Sequence, residues 1–168
     1  MRVIAWSPHL TRERAEAAGA EFCASKEELF ATSDVVSIHM VLSESTTGMI
    51  GAADLAKMKP TSFFINTSRG PLVDEAALID VLKEKRIAGA GLDVFDVEPL
   101  PLDHPLRNLS NVTLTPHMGY VSDSNYEVSI SPFKSCNLRL KFPWQAFWDD
   151  TVDNIAAYLA GSPKRIMN

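Results

Sequence analysis

Short apolar runs alternate with amphipathic stretches along the chain. Arg2 to Trp6 reads as a strand, broken at Ser7-Pro8. Thr11 caps a helix rich in Glu, Arg and Ala, which Gly19 closes. A short strand at Glu21 to Cys23 follows, then a brief helix opened by a Ser25/Glu28 capping-box pattern. Asp34 to His39 is the next strand; its continuous apolar core predicts a parallel sheet covered on both faces. Gly51 to Met58 forms a short helix that ends before Pro60. Asp74 caps the strongest helical pattern in the chain. Leu78, Val81, Leu82 and Lys85 recur there at i, i+3, i+4 and i+7, with the Lys85 stem covering apolar surface. A last helix places Val152, Ile155, Ala156 and Leu159 on one face, and Gly161 and Pro163 stop it.

Strands alternating with helices predict an α/β fold: a Rossmann-type parallel sheet with flanking helices. Three further strands share one design. Ser62 to Asn66, Ala88 to Asp93 and Val112 to Thr115 each run into a loop that carries one charged or titratable residue. These residues are Arg69, Glu98 and His117. In open α/β sheets ligands bind outside the carboxyl ends of the strands, so the three side chains are expected at one sheet edge. Their chemistry is coherent. A guanidinium fork grips a carboxylate and polarises a neighbouring carbonyl. An imidazole exchanges a proton near neutral pH, and a carboxylate on its other nitrogen fixes the tautomer. Together they suit reduction of a 2-oxo acid or oxidation of a 2-hydroxy acid.

Composition narrows this little further. The chain has 168 residues, 46% apolar and 22% charged, with net charge −5. A globular core is expected, and nothing points to nucleic acid. No apolar run approaches the ~20 residues of a membrane span, and the first apolar run is too short for a signal peptide. Cys23 and Cys136 have no metal or redox spacing, which makes a reducing, cytoplasmic setting the default. His39 reads as a strand-end residue and His9 and His104 as loop residues, with no metal-ligand spacing among them.

The phrases Asn66-Thr67-Ser68-Arg69-Gly70, Gly91-Leu92-Asp93-Val94-Phe95 with Glu98-Pro99, and Thr115-Pro116-His117-Met118-Gly119 resemble, in order, those of the D-isomer-specific 2-hydroxyacid dehydrogenases. The likeness runs from Arg2 to about Glu127 and resumes near Phe147. It implies that Arg69 binds the substrate carboxylate, Glu98 orients and charges His117, and His117 is the acid/base. It also implies that Thr67, Asp93 and Gly119 lie at the nicotinamide cofactor and that Met40 meets it through its backbone. Glu98 stands where the family's formate dehydrogenases carry Gln, which disfavours that activity. The partner implied is a small 2-oxo or 2-hydroxy acid, and the longer relatives are homodimers.

Two departures from the family pattern stand out. The chain has no G-x-G-x-x-G, and by resemblance Met1 lies just ahead of the family's second Rossmann strand. The first strand and its glycine-rich turn are therefore expected to be missing. In the order 3-2-1-4-5-6 that strand is central. Its loss would leave the strands at Arg2–Trp6 and Asp34–His39 each without a partner, at the cost of unpaired backbone groups. Alone, the chain is expected to be marginally stable, to bind cofactor weakly and to turn over nothing measurable. The second departure is 128–145, where Pro132 and Pro143 forbid a continuous helix. Removing that stretch puts Tyr126, Phe147, Trp148, Val152, Ile155, Ala156 and Leu159 on one face. A retained intron fits: Val-Ser can be encoded by the donor-like GTAAGT, and Gln by the acceptor CAG. A surface insertion with a basic-aromatic patch is the alternative. The expected organisation is a partial dinucleotide-binding domain at 1–127, an anomalous insertion at 128–145, and a helix and tail at 146–168.

The cofactor is NAD or NADP. Ser7 ends the first strand where an acidic residue would hold the ribose and select NAD. With Arg12 and Arg14 nearby, this leans towards NADP. Two other readings remain: a non-catalytic dinucleotide-binding protein of the co-repressor kind, and an inactive gene fragment. The sequence does not name the substrate.

Overall fold

The structure is a computed structural model and describes residues 1–119. The 128–145 segment, the helix expected after it and Cys136 lie outside the described residues.

Six strands and four helices alternate: β1 (Ile4–Ala5), α1 (Arg12–Ala17), β2 (Glu21–Phe22), α2 (Lys26–Thr32), β3 (Val35–Ile38), α3 (Ala52–Leu55), β4 (Phe63–Asn66), α4 (Glu75–Lys83), β5 (Gly89–Leu92) and β6 (Val112–Leu114). Single 3-10 turns occupy Gly70–Leu72 and Pro105–Asn108. The helix starts follow the capping chemistry. Thr11 accepts from the Arg14 amide at 3.4 Å, Ser25 from Glu28 at 3.0 Å, and Asp74 from Ala77 at 3.0 Å. Glu28 does not close the box on Ser25; its carboxylate reaches the amide of Ala24 at 3.3 Å. Leu78, Val81 and Leu82 are buried as the pattern requires, but Lys85 is a correction. α4 stops at Lys83, and Lys85 takes a left-handed φ of 53° on the exposed side of the turn, so its stem covers no core.

All pairing is parallel. β1 pairs with β2, and β3-β4-β5-β6 form a separate four-stranded sheet. No pairing joins β1 to β3 among the described residues. β1 and β3 each end their sheet within the described residues. The core lies on one face of the larger sheet. Val36, Ile38, Phe64, Ala90 and Leu92 meet Phe30 of α2, Leu55 of α3 and Leu78, Val81 and Leu82 of α4. On the opposite face Val35 and Phe63 are 53% and 48% exposed. The expectation of two covered faces therefore holds for one face within the described residues. α2, α3 and α4 supply a single helical layer.

Register sets the site. Ile38, Asn66, Leu92 and Leu114 stand side by side at the carboxyl ends of the sheet's four strands. The loops that follow therefore start level with one another.

Candidate active site

The backbone carries this alignment past the strand ends. The Asp93 amide donates to Asn66 at 3.0 Å, Thr115 to Leu92 at 3.0 Å, and His117 to Asp93 at 2.8 Å. The loops bearing Arg69, Glu98 and His117 are thus neighbours, as expected of a parallel sheet edge.

His117 and Glu98 meet directly. The imidazole Nδ1 lies 2.7 Å from Glu98 Oε2, with side chains 40% and 33% exposed. Glu98 Oε1 accepts from the Phe95 amide at 2.9 Å, which fixes the carboxylate's other oxygen. Desolvation pushes the Glu98 carboxyl upward. The His117 hydrogen bond, the Phe95 amide and the charges of His117 and Arg69 outweigh it, so the group titrates below the ordinary glutamate value.

His117 sits at φ 53°, a left-handed conformation that costs a non-glycine residue about 1–2 kcal/mol. Asp93 holds it there. Its carboxylate is 4% exposed and accepts from the Thr115 hydroxyl, the Met118 amide at 2.9 Å and the Gly119 amide at 2.7 Å. Desolvation raises the Asp93 carboxyl, but these donors and the His117 charge outweigh it, so the group titrates below the ordinary aspartate value. A carboxylate offers about four acceptor positions, so three donors leave room for one more.

A side chain added at Gly119 would stand 3.0 Å from Asp93 Oδ2 and 3.9 Å from the Thr67 Cβ. Gly119 thus packs closely beside Asp93 and Thr67. Met40 adjoins this region through its carbonyl, which accepts from Ser68 Oγ at 2.7 Å. Ser7 lies apart at the end of β1, half-buried, with its carbonyl bonded to the Leu10 amide at 3.2 Å. Arg12 stacks 5.2 Å over the Phe22 ring, and Arg14 reaches the His9 carbonyl at 3.4 Å.

The Arg69 turn is built by Asn66, a residue outside the predicted catalytic and cofactor set. Asn66 is 2% exposed; its amide nitrogen donates to the Arg69 carbonyl at 2.9 Å and its oxygen accepts from the Ser68 amide at 3.0 Å. A buried Asn ending an otherwise apolar strand was the available signal. Gly70 then lets the turn press against the backbone of Phe95 and Asp96. Arg69 itself is exposed, with one guanidinium nitrogen on the Ser68 carbonyl at 2.6 Å. Glu98 and His117 also face a cavity of about 580 Å³ walled by Phe95, Leu100, Arg107 and Thr115. Arg69 stands outside that wall. No group of three or more metal-ligating side chains occurs among the described residues. No helix there is long and apolar enough to cross a membrane.

Comparison with known proteins gives the same picture. The family profile of the D-isomer specific 2-hydroxyacid dehydrogenase, NAD binding domain, matches residues 1–119. The chain is 41% identical over 147 residues to glyoxylate/hydroxypyruvate reductase B of Enterobacter agglomerans, covering 87% of this chain and 39% of that protein. It is 53% identical over 96 residues to glyoxylate reductase of Korarchaeum cryptofilum, covering 57% of this chain and 29% of the relative. Among solved structures, a phosphoglycerate oxidoreductase of Vibrio cholerae superposes with a TM-score of 0.70 at 40% identity, over 76% of this chain and 41% of the other. The chain thus spans well under half the length of these relatives. Three strand-end loops in order, a matching profile and a matching fold agree: the chain belongs to the D-isomer specific 2-hydroxyacid dehydrogenase family, through its NAD binding domain.

Proposed function

We propose that this chain supplies the cofactor-side half of an NAD(P)-dependent D-2-hydroxyacid dehydrogenase. The observation that supports it most is the 2.7 Å His117–Glu98 pair beside the Arg69 turn at one sheet edge. A bound nicotinamide supplies or accepts the hydride. Arg69 holds the substrate carboxylate and polarises the adjacent carbonyl. His117, paired with Glu98, donates a proton to the developing alkoxide; in the oxidative direction the imidazole takes it back. Asp93 keeps the His117 loop in its left-handed turn and, with Thr67 and Gly119, receives the cofactor carboxamide. Met40 lines the same approach.

The reading extends to cofactor choice. Ser7 leaves no carboxylate at the end of β1 to repel a 2′-phosphate, and Arg12 and Arg14 are exposed on the following helix. NADP is therefore preferred over NAD. Glyoxylate or hydroxypyruvate is the substrate class suggested by the relatives, and the working assembly is a homodimer. A graft tests the whole reading. Residues 1–119 replace the matching segment of the Enterobacter agglomerans reductase, and glyoxylate reduction is followed by nicotinamide absorbance with NADH and NADPH. The graft should turn over, with Arg69→Ala lowering kcat/KM by about 10²-fold or more. An active graft indifferent to Arg69→Ala would refute the assigned role. A graft that binds cofactor but never turns over would favour the non-catalytic, dinucleotide-binding alternative.

A further inference from the structure

Behind the His117–Glu98 pair lies a second histidine–carboxylate contact that the proposed chemistry does not use. His104 Nε2 stands 3.1 Å from Glu75 Oε1, with side chains only 17% and 19% exposed. Glu75 is the first residue of α4, whose start is fixed by the Asp74 cap and by the Asp74 amide on the Ile50 carbonyl at 2.8 Å. The other Glu75 oxygen faces the Asp96 amide at 3.5 Å. One carboxylate on a rigid helix thus receives donors from both sides of Glu98, two residues before it and six after.

The protonation pattern follows from the partners. His104 Nδ1 accepts from the Leu106 amide at 3.4 Å, so Nε2 carries the hydrogen that Glu75 receives. The far limb of the loop is tied as well. Arg107 donates to the Pro101 carbonyl at 2.8 Å and the Leu100 carbonyl at 2.7 Å. Glu98 stands on an irregular loop between these anchors. Among the described residues its own side chain is held by the Phe95 amide and His117. We propose that Glu75 and His104 are positioning residues for Glu98: they bracket its loop onto α4 and so set the carboxylate's distance to His117. The proposal rests on the acid/base reading of that pair. An error of about 1 Å in such a contact is enough to cost roughly 10²-fold in rate.

Glu75→Ala and Glu75→Gln both remove the charge at the start of α4. Only the glutamine keeps an oxygen for His104. Comparing them isolates the bracket from the helix-end charge. The Glu98 carboxyl titration is read by carbon NMR in this chain, assigned by its loss in Glu98→Gln. Glu75→Ala and His104→Ala should each move it up towards the ordinary glutamate value. Glu75→Gln should restore the parent titration. In the graft, kcat should fall about 10-fold in Glu75→Ala with KM unchanged, and recover in Glu75→Gln. If Glu75→Ala does not fold, His104→Ala decides by the same readouts. Should the chain alone give no resolved spectrum, the kcat comparison decides. Parent-like Glu98 titration and parent-like kcat in folded Glu75→Ala or His104→Ala would overturn the proposal. An ordinary Glu98 value in the parent would instead undermine the acid/base reading itself.

Discussion

Replacing Gly70 by Ala probes the contact between two site loops with a single methyl group. The added Cβ would stand 2.1 Å from the Phe95 carbonyl carbon, 2.2 Å from its oxygen and 2.6 Å from the Asp96 amide nitrogen. Ordinary contact begins near 3.4 Å, and the obstructing atoms are all backbone, so no rotamer change relieves the clash. One loop must retreat by more than about 1 Å, a displacement that can cost roughly 10²-fold in rate. Overpacking of this kind costs about 1–3 kcal/mol, and rigid backbone neighbours put Gly70→Ala towards the top of that range. The Phe95 amide also moves, and with it the bond that fixes Glu98. Two measurements follow: a denaturant melt of the chain, and kcat/KM of the graft for glyoxylate. The expected result is lost stability together with a drop in kcat/KM approaching 10²-fold. A Gly70→Ala protein with parent stability and parent activity would refute the claim that the Arg69 and Glu98 loops are pressed together.

Acid should unfold the chain partly through its site. Glu98 and Asp93 both have folded-state values below their ordinary ones. Their stabilisation is therefore whole above the ordinary carboxylate range and is lost as pH falls through the depressed values. Glu98→Gln and Asp93→Asn should flatten the acid limb of the stability profile; an unchanged limb in both would contradict the assigned hydrogen bonding. Asp96 runs the other way. Burial first, then Glu75 and Asp74, raise its carboxyl, so its contribution is lost as pH rises through the raised value, and Asp96→Asn should gain stability near neutrality. Hydrogen exchange reads the sheet. Amides of β4 and β5, which have a strand on each side, should exchange more slowly than those of β1 and β3, which end their sheets. Equal protection of β3 and β4 would mean that the β3 edge is paired after all.

Much of the architecture was legible because capping and strand signals are local. Thr11, Ser25 and Asp74 each cap the helix that their chemistry announces. Arg69, Glu98 and His117 share an edge because a parallel sheet delivers every strand end to the same side. β1 and β3 likewise carry strand signals, and each stands at the end of its sheet. What escaped was non-local. Lys85 sits at helical spacing, yet α4 ends at Lys83 and Lys85 itself takes the left-handed turn that follows. The Asp93 network joins residues 22 to 26 positions apart, and the Glu75–His104 contact spans 29. His104 had read as a loop residue. No periodicity encodes such pairs; only the folded register brings them together.

His117→Asn in the graft bears most directly on whether this sheet edge handles a proton during catalysis. Asparagine tolerates the left-handed turn at φ 53°, so the substitution removes the imidazole with little added strain. We predict a fall in kcat of about 10²–10⁴-fold for glyoxylate reduction, with cofactor binding retained. A variant that folds, binds cofactor and keeps kcat within about two-fold of the parent graft would contradict the account.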